Sequence, residues 1–115
     1  KGHVGNNYNL SMKCWVNDQL VSEGNVKDMD WTFAEIIERC SYGVTIYPGD
    51  VIGSGTVGTG CFLELNGTGK LKDANYTPQW LQPNDVVTMS IDGLGTLENT
   101  IYKEDTDWSI LSLKK

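Results

Sequence analysis

Residues 53–60, Gly53-Ser54-Gly55-Thr56-Val57-Gly58-Thr59-Gly60, put four glycines in eight positions. A cluster of this kind serves one of two needs. It makes a tight crossover or bulge that requires positive φ, or it makes a loop whose backbone approaches a ligand, with Thr56 presenting a hydroxyl at the end of a strand. The segment has no G-K-[ST] ending and does not read as a dinucleotide fingerprint opening a helix, so a nucleotide cradle is set aside. A few residues on, Glu64 is the one charge in the apolar run Cys61-Phe62-Leu63-Glu64-Leu65. Strand alternation puts it on the face of Phe62, opposite Cys61, Leu63 and Leu65. If both faces are covered, the carboxylate is desolvated and suits a general base. The competing reading is a half-exposed strand with Glu64 in water. His3, the one histidine, stands in a polar start with no acid or cysteine beside it and reads as non-catalytic.

The elements that must position these residues can be read from periodicity. Leu10, Met12, Cys14 and Val16 alternate with Ser11, Lys13 and Trp15, the two-residue period of a strand with one buried face. Asn17-Asp18 tolerates the left-handed turn of a hairpin, giving a hairpin over residues 9–25. Thr32-Phe33-Ala34-Glu35 has the spacing of a capping box and opens a helix over 32–42. Its Phe33, Ile36, Ile37 and Cys40 form one apolar stripe, and Gly43 is its stop. Tyr47-Pro48-Gly49-Asp50 reads as a type II turn leading into a strand at Val51-Ile52 and so into the site segment, residues 50–65. Gln82-Pro83-Asn84-Asp85 repeats the device with Asn for Gly, which we read as a recurrent turn signal rather than a duplication. Residues 66–79 are rich in turn signals and are expected to be a surface loop. Val87, Met89 and Ile91 alternate on one strand, Gly93-Leu94-Gly95 turns, and Leu97, Asn99 and Ile101 share a face on the return, a second hairpin over 85–102. The tail from residue 103, with Trp108, Ile110, Leu111 and Leu113, could dock or fray. Many short strands with one helix give a mostly β, α+β domain whose sheet curls on itself.

Composition narrows the function classes. The 115 residues allow one domain. A net charge of −6, with 9 Lys plus Arg scattered among 15 Asp plus Glu, lacks the basic footprint that attracts phosphate backbones, so nucleic acid is not an expected partner. No apolar run reaches the roughly 20 residues that span a bilayer, and the polar start is unlike a signal peptide. A soluble, cytoplasmic protein is expected. Cys14, Cys40 and Cys61, odd in number, widely spaced and set among apolar neighbours, read as reduced core thiols. The three N-x-[ST] sequons, at Asn9, Asn66 and Asn75, are too short a pattern to alter that. A chain starting at Lys1 rather than Met reads as an excerpt or a processed product.

Two stretches carry a family resemblance: Tyr47-Pro48-Gly49-Asp50-Val51-Ile52-Gly53-Ser54-Gly55-Thr56, and Val86-Val87 through Gly93-Leu94-Gly95-Thr96-Leu97-Glu98-Asn99. With residues 10–25 and the helix from residue 31, they resemble the fumarylacetoacetate hydrolase family over most of residues 10–102. The resemblance implies that residues 1–115 are the C-terminal part of one catalytic domain, a rolled mixed β-sheet with one helix packed on it, in an enzyme that is often a homodimer. It implies chemistry on small 2-oxo acids and acylpyruvates, as hydrolase, decarboxylase, isomerase, hydratase or lyase, with Mg²⁺, Mn²⁺ or Ca²⁺ in the complete enzyme. Thr56 matches the family's substrate-contacting threonine, and Gly55 permits the close approach. Glu64 matches the glutamate that pairs with a histidine to activate water, although the span between Thr56 and Glu64 is shorter than in fumarylacetoacetate hydrolases proper. The family's Glu-x-Glu pair and later Asp that hold the metal, its histidine and its lysine all lie upstream of the matched segment. The chain alone is therefore expected to hold no metal and to be inactive without the N-terminal half of its domain. A non-catalytic domain keeping the fold for small-acid binding or assembly is the alternative.

Overall fold

The computed structural model describes residues 8–104. His3 and the apolar residues of the tail lie outside that range. Four strands, β1 (Ser11–Val16), β2 (Gln19–Asn25), β3 (Val86–Ile91) and β4 (Gly95–Thr100), form one sheet in the order β2-β1-β3-β4. All three pairings are antiparallel. Two α-helices, α1 (Phe33–Cys40) and α2 (Phe62–Lys72), complete a mostly β, α+β fold.

The alternation in the sequence becomes the register. Met12, Cys14 and Val16 of β1 stand opposite Ile91, Met89 and Val87 of β3, and Met89 in turn stands opposite Leu97 of β4. Directly paired residues share a face, so these side chains make one apolar side. On the other side Lys13 pairs with Glu23 of β2, their charges 3.2 Å apart and largely exposed, a contact of small energetic weight. Asn17 and Asp18 both take positive φ, +49° and +65°, as the tight turn between twisted strands requires. The β1–β2 register shifts between Cys14 and Trp15, leaving Val21 as the extra residue of a bulge. Gly93 and Gly95, at φ +76° and +95°, close the second hairpin.

The two proline turns are the same object. Asp50 N–H donates to Tyr47 O at 3.1 Å, Gly49 has φ +104°, and Asp50 Oδ2 accepts from Tyr47 N–H at 2.8 Å. In the second, Asp85 N–H donates to Gln82 O at 3.1 Å, Asn84 has φ +75°, and Asp85 Oδ2 accepts from Gln82 N–H at 2.7 Å. Only the second leads into a strand. Val51 and Ile52 are exposed and form none, because β-branched residues make a strand only where a neighbour pairs their backbone, and none does so among the described residues.

Helix α1 begins as its capping box dictates. Glu35 N–H donates to Thr32 Oγ1 at 3.2 Å and Thr32 N–H donates to Glu35 Oε2 at 2.7 Å. Its apolar stripe is not buried: Phe33, which meets Tyr8 edge to face at 5.4 Å, and Ile37 both stay exposed. Helix α2 corrects two expectations. Residues 61–65 are its cap and first turn rather than a strand, and residues 66–72, expected to lie in a surface loop, are its remainder. A five-residue apolar run does not separate strand from helix by periodicity. Gly67 and Gly69, each worth about 1 kcal/mol against a helix, are overridden by tertiary bonds to Asn66.

Candidate functional site

The Gly-rich span reaches its position through a missing side chain in the sheet. Gly24 of β2 has no Cβ, and one built there would collide with Val57 Cγ2. Val57 fills that gap beside Met12 and is the one partly buried residue between Gly53 and Gly60. Its carbonyl accepts from Gly60 N–H at 2.8 Å, closing a tight turn in which Thr59 takes φ +65°, a conformation uncommon for a β-branched residue. Gly55 sits at φ +91°, where an L side chain is strained, with open space around its Cβ position. The positive φ foreseen for the glycines is taken at Gly55, while the tight turn takes its own at Thr59. Thr56 stands in an exposed loop, not at the end of a strand, with no hydrogen bond to its hydroxyl among the described residues.

The turn ends at Cys61, the N-cap of α2, whose side chain makes no capping bond. Glu64 therefore lies in the first turn of the helix, where the unpaired N–H groups favour a negative charge. It is exposed. The desolvated strand carboxylate is thus replaced by a solvated helix-start carboxylate. No hydrogen bond joins Glu64 to Thr56 or to any other described residue.

Between the first turns of α2 and the apolar side of the sheet lies a cleft of about 560 Å³. Cys14, Val16, Val87 and Met89 form its floor, Phe62 and Leu65 one wall, and Trp80 and Leu81 the other. Neither Thr56 nor Glu64 lines it. The thiol of Cys14 has its pKa raised by burial. Cys40 and Cys61 are exposed, so the expectation of three core thiols holds only in part for Cys14, although all three are free. No three His, Cys, Asp or Glu side chains among the described residues converge as a metal site, and no helix among them is long and apolar enough to cross a membrane.

Sequence reasoning missed Asn66. It is 4% exposed, the most buried described residue with a polar side chain. Its Nδ2 donates to Gln79 O at 2.8 Å, and its Oδ1 accepts from Gln79 N–H at 2.9 Å and from Tyr76 Oη at 3.3 Å. The Asn66-Gly67-Thr68-Gly69 run that suggested turns, and a sequon, was the available signal.

Residues 1–102 match the family pattern described as fumarylacetoacetate (FAA) hydrolase, C-terminal. An uncharacterized protein of Staphylococcus epidermidis is 35% identical over 96 residues, 83% of this chain and 28% of that protein. One of Staphylococcus haemolyticus is 34% identical over 97 residues, 84% of this chain and again 28% of its own length. The chain thus spans just over a quarter of the curated relatives it matches. Among solved structures, maleylpyruvate hydrolase from Sphingobium sp. SYK-6 superposes with a TM-score of 0.63 at 24% identity, over 90% of this chain and 32% of that one.

Proposed function

This chain belongs to the fumarylacetoacetate hydrolase family, over its C-terminal part, and from that premise we propose that it supplies one wall of the active site of an enzyme cleaving a 2-oxo acid or acylpyruvate. The observation that carries the reading is the continuous span from Gly55 to Glu64. It is anchored to the sheet at Val57 and delivers a free hydroxyl and a free carboxylate to solvent. The structural neighbour's name, a maleylpyruvate hydrolase, supports the substrate class.

In this reading Thr56 holds a substrate oxygen, and Gly55 gives the backbone the φ that turns the hydroxyl outward. Glu64 orients a histidine supplied by the N-terminal half of the domain and stabilises its protonated form as it draws a proton from the attacking water. In this reading Mg²⁺, Mn²⁺ or Ca²⁺ is held by residues of the N-terminal half of the domain. When bound, the cation would polarise the substrate's carbonyls as a Lewis acid. The complete enzyme is proposed to be a cytoplasmic homodimer.

The rival reading, a non-catalytic domain, draws on Glu64 having no partner among the described residues and on the helix start as a structural reason for its charge. Steady-state kinetics of the complete enzyme on an acylpyruvate separate the two. Thr56→Val keeps the shape but removes a donor, and kcat/KM should fall about 10- to 100-fold with metal affinity intact. Glu64→Gln keeps the volume but removes the charge, and kcat should fall further than substrate affinity does. A Glu64→Gln enzyme with kcat within about twofold of the parent, a few tenths of a kcal/mol, would remove Glu64 from the reaction.

A further inference from the structure

We propose that Asn66 is the positioning residue for Glu64, setting the rotation of α2 by a polar lock rather than by apolar packing; this rests on the proposed role of Glu64. The apolar purchase of helix α2 is limited to Phe62 and Leu65, half-buried over the cleft, since Leu63 is 71% exposed and Leu71 90%. What it has instead is Asn66. The carboxamide exchanges two hydrogen bonds with the backbone of one residue, Gln79, as a strand would with its neighbour.

The return chain is shaped to deliver that residue. Asp73 N–H donates to Gly69 O at 2.9 Å as the helix ends, and Tyr76 N–H donates to Asp73 O at 3.0 Å. Tyr76 then lies on the helix where Gly69 has no side chain, since a Cβ there would be 2.6–2.7 Å from three ring atoms. From that seat its hydroxyl reaches Asn66 Oδ1 at 3.3 Å. Gly69, three residues after Asn66, is on the same helix face, so the two glycines that weaken the helix both follow its lock and one of them admits the tyrosine.

Glu64 is two residues before Asn66, about 200° round the helix, so the carboxylate points away from the locked face. At a side-chain radius of about 6 Å, each 10° of helix rotation moves the carboxylate by about 1 Å. A shift of that size costs up to about 100-fold where a group must meet a reacting partner. Beyond Gln79 the chain passes through Trp80 and Leu81 to the Gln82–Asp85 turn and into β3, so the lock ties the angle of Glu64 to the sheet.

The test is a double-mutant cycle on the complete enzyme. Asn66→Ala should lower kcat at least about tenfold with KM within about twofold, and the same change made on Glu64→Gln should lower it less than about twofold. Tyr76→Phe, which keeps the ring and removes the longest of the three bonds, should show the same pattern at smaller size. It decides the question alone if Asn66→Ala does not fold. Equal effects in both backgrounds, or an unchanged kcat in Asn66→Ala, would overturn the assignment while leaving Glu64 in place. A silent Glu64→Gln would instead remove Glu64 from the proposed reaction, and the positioning role with it.

Discussion

Gly24 decides where the site segment sits. Its bare Cα is the seat of Val57, so the loop that presents Thr56 is referenced to β2 by one apolar contact. Gly24→Ala must displace Val57, because the added methyl collides with Cγ2. Overpacking of this kind costs about 1–3 kcal/mol. The complete enzyme should therefore lose stability of that order in urea unfolding, and kcat/KM should fall as Thr56 shifts. An unchanged urea midpoint together with unchanged kcat/KM would mean that Val57 does not anchor the loop. The proline turn and the glycine-rich loop after it, which carries Gly55 and Thr56, were legible in the sequence, since turn residues make a local pattern. The Gly24–Val57 contact was not, because it joins residues 33 positions apart and leaves no periodic trace in either.

At the scale of elements, the strands of the two hairpins, a boxed helix start and the proline turns announce themselves through local chemistry and stand where those signals put them, whereas the strand expected at Val51-Ile52 does not form. Helix α2 does not announce itself, since its own residues favour turns, while the bond from Asn66 to Gln79 spans 13 positions and leaves no local signal. Its partner through the chain, the Gln82–Asp85 turn, carries a pH-dependent contribution. The Gln82 N–H and, after it, the Asn17 side chain hold the Asp85 carboxyl below its ordinary range. A carboxyl depressed in the folded state stabilises the fold at pH above its ordinary range. That contribution is lost as the pH falls through the depressed value. Asn17 also accepts from Val86 N–H at 2.9 Å, so protonation of Asp85 loosens the joint between the first hairpin and β3. Urea midpoints of the complete enzyme should fall on acidification below the ordinary aspartate range. Asp85→Asn should lower the neutral-pH midpoint and flatten this dependence without abolishing it. Glu35 remains, its carboxyl lowered chiefly by the Thr32 hydroxyl, with the same sign. An unchanged slope in Asp85→Asn would remove the turn from acid sensitivity.

At the scale of the molecule, the described residues contain one buried apolar side chain, Val26 at 8% exposure, while Val51 is 95% exposed and Trp31 66%. Ordering a residue's backbone costs about 1–2 kcal/mol, and burial returns about 25 cal/mol per Å² of apolar surface, so a fold with its apolar sheet face open to a cleft has little to set against that cost. Every residue of β4 is exposed, and β4 is an edge of the sheet, a template for pairing with another chain. The 115-residue chain expressed alone should therefore self-associate and unfold without a sharp transition, and it should not turn over acylpyruvates with Mg²⁺ added. The polypeptide that precedes this segment in a full-length relative has the opposite effect if it covers the apolar face and brings the histidine and metal ligands. Mixed with this chain, it should convert the aggregate into a defined complex with a cooperative melt and measurable turnover. Light scattering and thermal unfolding of the two preparations read the difference directly. A monodisperse monomer with a sharp melting transition would show that the chain completes its own core, and turnover by that monomer would place the whole site within these 115 residues.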